Sequence, residues 1–237
     1  MTDHNKTGGA RIKAEQLPLA FSHQSATGRE DLLVAAPLDA AVSIVDEWPR
    51  WPSTVVILVG PQGSGKSHLA TIWKNTSGAA DIHPVPGKGA ARLAENAPVL
   101  FEDADRQGFD DTELFHVINS VRENGTSLLM TTRQWPAAWP VTLPDLRSRL
   151  KAATVVEIGE PDEDLLAQVL MKLFADRQLY MDDKLVSYIV ARMERSLNTA
   201  QTIVERLDRL GLSRGTRISR AMAAEVLTEL GGQPDED

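Results

Sequence analysis

The sequence predicts an α/β protein in two parts: a five-stranded parallel sheet covered by helices, then a small all-helical part. Three observations predict it. Short β-branched runs alternate with helical patterns as far as about residue 160. A glycine-rich loop joins one of those runs to a helix, and beyond Pro161 only helical patterns continue.

In chain order, "LDAAVSIVDEW" spaces Leu38, Ala41, Val42, Val45 and Trp48 as one helical face, and Pro49 and Pro52 end that helix. "TVVILV" (54–59) is a continuous β-branched run, as expected of a strand buried on both faces. The glycine loop and a helix over "KSHLATIWKN" come next. Further strands are predicted at 80–82, 98–102, 126–131 and 153–158. Between the second and third of these lies the helix "DTELFHVINSVRE", with Leu114, Phe115, Ile118 and Val121 on one face. "PDEDLLAQVLMKLF" opens the helical part with a proline and acids in its first turn, and helices follow at about 182–194, 198–211 and 219–230. The expected division is an arm over residues 1–24, a nucleotide-binding α/β domain over 25–160, a helical lid over 161–232 and a disordered tail over 233–237.

Composition narrows the function. The 237 residues, 42% of them apolar, suffice for a buried core. No apolar run approaches the ~20 residues that cross a bilayer, so no membrane role is expected. Cysteine is absent, which suits a cytoplasmic protein, and the five histidines have no ligand spacing. A net charge of −8 argues against a nucleic-acid binder over the whole surface. The exception is local: Arg192, Arg195, Arg206, Arg209, Arg214, Arg217 and Arg220 crowd one stretch, either as a solvated helical surface or as a docking face for an acidic partner.

The chemistry starts at "GPQGSGKS". Gly60, Pro61, Gln62, Gly63, Ser64, Gly65, Lys66 and Ser67 match G-x-x-x-x-G-K-[ST] at every fixed position, with a strand before and His68 and a helix after. Backbone N–H groups of such a loop cradle phosphate oxygens, Lys66 reaches the β/γ-phosphates, and the Ser67 hydroxyl ligates Mg²⁺. ADP or ATP with Mg²⁺ is the expected ligand. "VLFEDAD" supplies the partner carboxylates in one of two registers. Glu102 serves Mg²⁺ and Asp103 activates water, or Asp103 serves Mg²⁺ and Ala104 stands where a catalytic acid is expected. Asp105 reads as a helix-start residue. Thr131 and Thr132 end a strand where a parallel sheet presents its ligands, and either senses the γ-phosphate or satisfies local backbone.

The order of N-terminal helix, phosphate loop, acidic strand end, polar strand end, arginine-bearing turn and helical lid resembles the AAA+ ATPases. "ELFHVINSVRENGTSLLMTTRQWPAAWPVTLPDLRSRL" is similar to the matching stretch of the replication initiator DnaA, and more so to its shortened relatives of the Hda type, particularly the alphaproteobacterial form. The resemblance spans about residues 16–230. It implies a regulator of replication initiation that, loaded on the DNA sliding clamp, stimulates ATP hydrolysis by DnaA, with Arg149 as arginine finger. It also implies an ADP-bound active form, an adenine pocket at Leu33 and Val34, and no dedicated DNA-binding domain. A homo-oligomer is compatible with it. Asn198 stands where these proteins carry a γ-phosphate arginine; it also reads as a helix N-cap with Gln201 three residues on. With Ala104, it predicts slow hydrolysis by the chain alone.

The arm carries "QLPLAF", an apolar strip in polar surroundings. Clamp-binding peptides have this form. Gln16 would hydrogen-bond in a polar notch while Leu17, Leu19 and Phe21 fill apolar pockets. Two other classes stand beside this reading: a helicase loader binding helicase and single-stranded DNA, and a free-standing P-loop enzyme such as a kinase.

Overall fold

The computed structural model describes residues 37–231. Its centre is a five-stranded all-parallel sheet of order β2-β3-β4-β1-β5. The strands are β1 (Val55–Val59), β2 (Ala80–Asp81), β3 (Val99–Phe101), β4 (Leu128–Thr132) and β5 (Thr154–Glu157). All five predicted strands are present. The β-branched run of β1 is buried along its whole length, because it has a strand on each side and helices on each face.

Strand periodicity sorts the core into two layers. Val55, Ile57, Val59, Val99, Phe101, Leu128 and Met130 face one side, packing on α3 (Ala90–Asn96), α5 (Asp111–Asn124) and α6 (Pro144–Lys151). Val56, Leu58, Leu100 and Leu129 face the other, packing on α1 (Asp39–Glu47) and α2 (Lys66–Ser77). The short α4 (Ala104–Gln107) follows β3. The α5 face differs by one step from expectation: Leu114, Val117, Ile118 and Val121 are buried, whereas Phe115 packs at the margin. Val117 completes the three-and-four spacing of the buried face, and Phe115 lies to one side of it.

Beyond β5 the chain is helical: α7 (Glu163–Asp176), α8 (Asp183–Val190), α9 (Leu197–Arg214) and α10 (Arg220–Gly231). Asp162 and Asp182 cap α7 and α8 through their carboxylates, so each helix starts where its acid stops the orphan N–H groups. A third apolar cluster, including Leu166, Leu170, Phe174, Ile189, Ile203 and Val226, holds these helices together. No described helix is long and apolar enough to cross a membrane.

Candidate nucleotide site

The loop Gly60–Ser67 lies at the C-terminal edge of the sheet, between β1 and α2. Gly60 N–H donates to Thr132 O at 3.1 Å and Ile158 N–H to Val59 O at 2.7 Å, so neighbouring strands fix the loop's entry. A side chain is excluded at Gly60, where a Cβ would lie 2.6 Å from the Ile158 carbonyl oxygen. The Lys66 ammonium donates to the carbonyls of Gly60 and Pro61, both at 2.7 Å, and lies 3.4 Å from Ser64 Oγ. Burial pushes the Lys66 pKa below the ordinary lysine value; Asp103 and Asp105 oppose that shift and Arg133 adds to it. A desolvated cation at the N-terminus of a twelve-residue helix is a strong attractor for phosphate. Gln62 is exposed, Pro61 and His68 are half-buried, and Ser67 is exposed on the first turn of α2.

The acidic strand end resolves into distinct positions. In β3, Leu100 faces α2 while Val99 and Phe101 face α5. Period two therefore turns Glu102 toward α2, where the Ser67 hydroxyl lies near enough to lower the pKa of its carboxyl. Glu102 Oε1 is buried with no partner among the described residues, and burial raises the Glu102 pKa above the ordinary glutamate value against the lowering effect of Ser67. Asp103 leaves the strand at φ 47°, ψ 46°, and its N–H donates to Thr131 Oγ1 at 2.9 Å. Ala104 is buried in the core layer on the α5 side, so a carboxylate at 104 would point away from the loop. Asp105 lies in the first turn of α4, where Oδ2 accepts from Arg133 N–H at 3.2 Å while Oδ1 is buried and unpaired among the described residues.

Thr131 and Thr132 are fully buried. The Thr131 hydroxyl holds Asp103, and the Thr132 hydroxyl donates to Gln134 O at 2.9 Å and accepts from Gln134 N–H at 3.2 Å. Both side chains thus satisfy backbone, the second of the two roles weighed for them. The residue that motif reasoning missed is Arg133, half-buried directly after Thr132 and close enough to lower the Lys66 pKa. A lone arginine after a strand carries no motif; only the β1–β4 pairing places it here.

The helical part touches the loop directly. Leu197 N–H donates to Gly63 O at 2.8 Å. Gly63 has φ +70°, and a Cβ there would fall 2.0 Å from Ser196 Oγ. Ser196, not Asn198, is the N-cap of α9: its hydroxyl accepts from Thr199 N–H at 3.2 Å. Asn198 is exposed one step inside the helix. Both residues fit the capping preference, and the hydrogen bond to the loop sets which one turns the chain.

On the far side of the sheet, α6 is fixed by the buried Leu146 and Leu150. Asp111 at the start of α5 braces the turn before it, accepting from Thr142 N–H and Oγ1, both at 2.7 Å, and from Leu143 N–H at 2.9 Å. Burial pushes the Asp111 carboxyl up, yet these hydrogen bonds and Arg147 hold it below the ordinary aspartate value. Arg147 is exposed, and its guanidinium donates to Val141 O at 2.5 Å. The half-buried Arg149 makes no side-chain hydrogen bond or ion pair with another described residue. Gln16, Leu17, Leu19, Phe21, Leu33 and Val34 lie outside the described residues.

Sheet order, phosphate loop and helical addition together define an AAA+ P-loop fold. Domain III of DnaA from Thermotoga maritima superposes with a TM-score of 0.72 over 88% of this chain and 98% of that one, at 15% identity. DnaA from Aquifex aeolicus, bound to AMPPCP, superposes with a TM-score of 0.65 over 78% of this chain and 66% of that one, at 16% identity.

Sequence similarity points the same way, to DnaA in particular. The chain is 24% identical over 216 residues to the chromosomal replication initiator DnaA of Lacticaseibacillus casei, covering 81% of this chain and 48% of that protein. It is also 24% identical over 182 residues to an uncharacterized protein of Haemophilus influenzae, covering 71% of this chain and 79% of that one. The chain thus spans about half the length of the DnaA relatives it matches. No family model matches it.

Proposed function

We propose that this protein is an Hda-type regulator of replication initiation: a nucleotide-bound AAA+ protein that, tethered to the DNA sliding clamp, stimulates ATP hydrolysis by DnaA. The observation that carries the reading is the pairing of a complete phosphate loop with an arginine, Arg149, on a braced helix and without a partner among the described residues. A residue that stabilises its own fold is expected to be paired, as Arg147 is. Arg149 is instead available to a neighbouring molecule's nucleotide, where a guanidinium neutralises charge developing on the transferred phosphoryl group.

In the nucleotide's own site, ADP or ATP would lie along Gly60–Ser67 with Lys66 on the phosphates. An Mg²⁺ ion fits beside Ser67, because the adjoining Glu102 carboxylate is buried with one oxygen unsatisfied. Such an ion would supply charge neutralisation on the phosphate oxygens. Of the two registers, the Ser67–Glu102 contact and the buried Ala104 favour Glu102 toward the metal, with Asp103 toward the γ-phosphate side. The lid contact at Gly63 gives the loop's occupancy a route to α9, although Asn198 brings no charge to it. The "QLPLAF" arm supplies the tether, and ADP is the resident nucleotide.

The test is DnaA ATP turnover with DNA-loaded clamp. Wild type is expected to accelerate it. Arg149→Ala should retain ADP binding, clamp binding and melting temperature, yet lose the acceleration by about 10³–10⁵-fold. Arg149→Lys should rescue poorly, since an ammonium cannot reproduce the planar fork. Full acceleration per folded molecule of Arg149→Ala would refute the assignment.

A further inference from the structure

The lid's arginines are not spent equally. Arg195 pairs with Glu163, Arg206 with Glu229 and Arg214 with Glu225. Among the described residues no acid pairs with Arg192, Arg217 or Arg220, and these three converge on one face. The Tyr188 ring lies between the Arg192 and Arg220 guanidiniums, 4.2 and 4.3 Å from its centroid. The ring holds both guanidiniums in place; Arg192 Nη1 also donates to Tyr188 O at 3.3 Å, and the remaining N–H groups stay available to a carboxylate.

Beside this stack, the loop ahead of α8 and the loop ahead of α10 enclose a groove of about 420 Å³. Its apolar lining is Met181, Leu185 and Ile218; its cations are Lys184, Arg217 and Arg220. Tyr180 stands at its margin with 94% of its surface exposed. The acid in the lining, Asp182, turns its carboxylate to Leu185 N–H at 2.8 Å to cap α8, and Asp183 is exposed in the next position. In a chain of net charge −8, this face is a local reversal of sign.

We infer that the α8–α10 groove docks an acidic peptide segment of a protein partner, one that sets an apolar side chain between carboxylates. The apolar lining takes the side chain, and Arg192, Arg217, Arg220 and Lys184 take the acids. A nucleic acid would use the cations and the exposed tyrosine but would leave the apolar lining unfilled. This site is separate from the phosphate loop and from α6, so it stands whether or not the DnaA reading holds.

The probe is a fluorescein-labelled twelve-residue peptide with Leu and Phe spaced among Asp and Glu, titrated with the full chain at low salt and read by anisotropy. Saturable binding is expected, weakening as salt rises. Arg217→Ala with Arg220→Ala should lower affinity at least tenfold with the melting temperature held, and Tyr180→Ala should lower it several-fold. Replacing the peptide's Leu and Phe by Ser should also weaken binding. Absence of binding, an unchanged affinity in the double variant, or an oligothymidylate of equal length binding more tightly than the peptide would each overturn the inference.

Discussion

At the N-terminal edge of the sheet, Trp51 stacks on the fully buried Trp73 at 5.2 Å and Trp48 meets it edge-on at 6.4 Å. The Trp51 indole donates to Ile44 O at 2.6 Å and the Trp48 indole to Ser127 Oγ at 3.2 Å, with Trp73 Nε1 alone unsatisfied. The C-terminal edge of the same strands is the opposite. It gathers a desolvated lysine, a carboxyl with raised pKa, two orphan carboxylate oxygens and an aspartate at positive φ. One edge is built from aromatic area and satisfied donors; the other keeps charge and strain that the fold has no use for. Such groups persist where a ligand completes them.

Trp73→Ala breaks the first edge and should have the largest effect on stability, about 3–5 kcal/mol, or a fall of about 10 °C in melting temperature. A variant that melts within a degree of wild type would deny the tryptophan cluster its structural role. Gly63→Ala strikes the second edge, forcing a Cβ into Ser196 at a positive φ. It should cost about 1–3 kcal/mol and weaken nucleotide binding, because the loop and α9 must part. Wild-type ADP affinity in this variant would disprove coupling between loop and lid.

Glu102→Gln sharpens the contrast further, since it should cost function while aiding the fold. The Glu102 carboxyl titrates above the ordinary glutamate value in the folded state, so the native protein binds more protons than the unfolded chain between the two values. Stability therefore falls as pH rises through that window. Above it, the glutamine variant should melt higher than wild type, and the difference should vanish in acid below the ordinary glutamate pKa. Melting curves across pH check the sign, and magnesium-dependent nucleotide affinity should drop in the same variant. The smallest effect on stability is expected at Arg133→Gln, within about 0.5 kcal/mol. Its signature is selective, a greater loss of ATP than of ADP affinity, because a cation beside Lys66 matters most where the γ-phosphate adds charge. Equal losses for both nucleotides would remove Arg133 from that role.

The phosphate loop and all five strands were legible because their signals are local. A run such as "TVVILV" can be buried only as a central strand, and glycines with lysine and serine at fixed spacing need no tertiary context. Roles set by the direction of a side chain were not. Glu102 and Asp103 are adjacent acids, and their register depends on which face Leu100 presents and on the left-handed turn at Asp103. The exchange of Asn198 for Ser196 as cap depends on a bond to Gly63, 134 positions before Leu197 in the chain. Arg133 became visible only when β4 paired with β1. The two arginines of "LRSR" share a residue type, yet one is exposed and bonded to Val141 while the other is half-buried without such a bond.

The central claim is that the unsatisfied edge holds an adenine nucleotide through Lys66. Isothermal calorimetry with ADP and ATP, in magnesium, on wild type and Lys66→Ala tests it most directly. The account predicts one saturable site per wild-type chain and a loss of about two orders of magnitude in the variant, from removing the charge on the phosphates. It also predicts that ADP raises the melting temperature of wild type alone, as a ligand bound only by the native state must. Equal affinity in the two proteins, or no nucleotide binding by wild type, would contradict it.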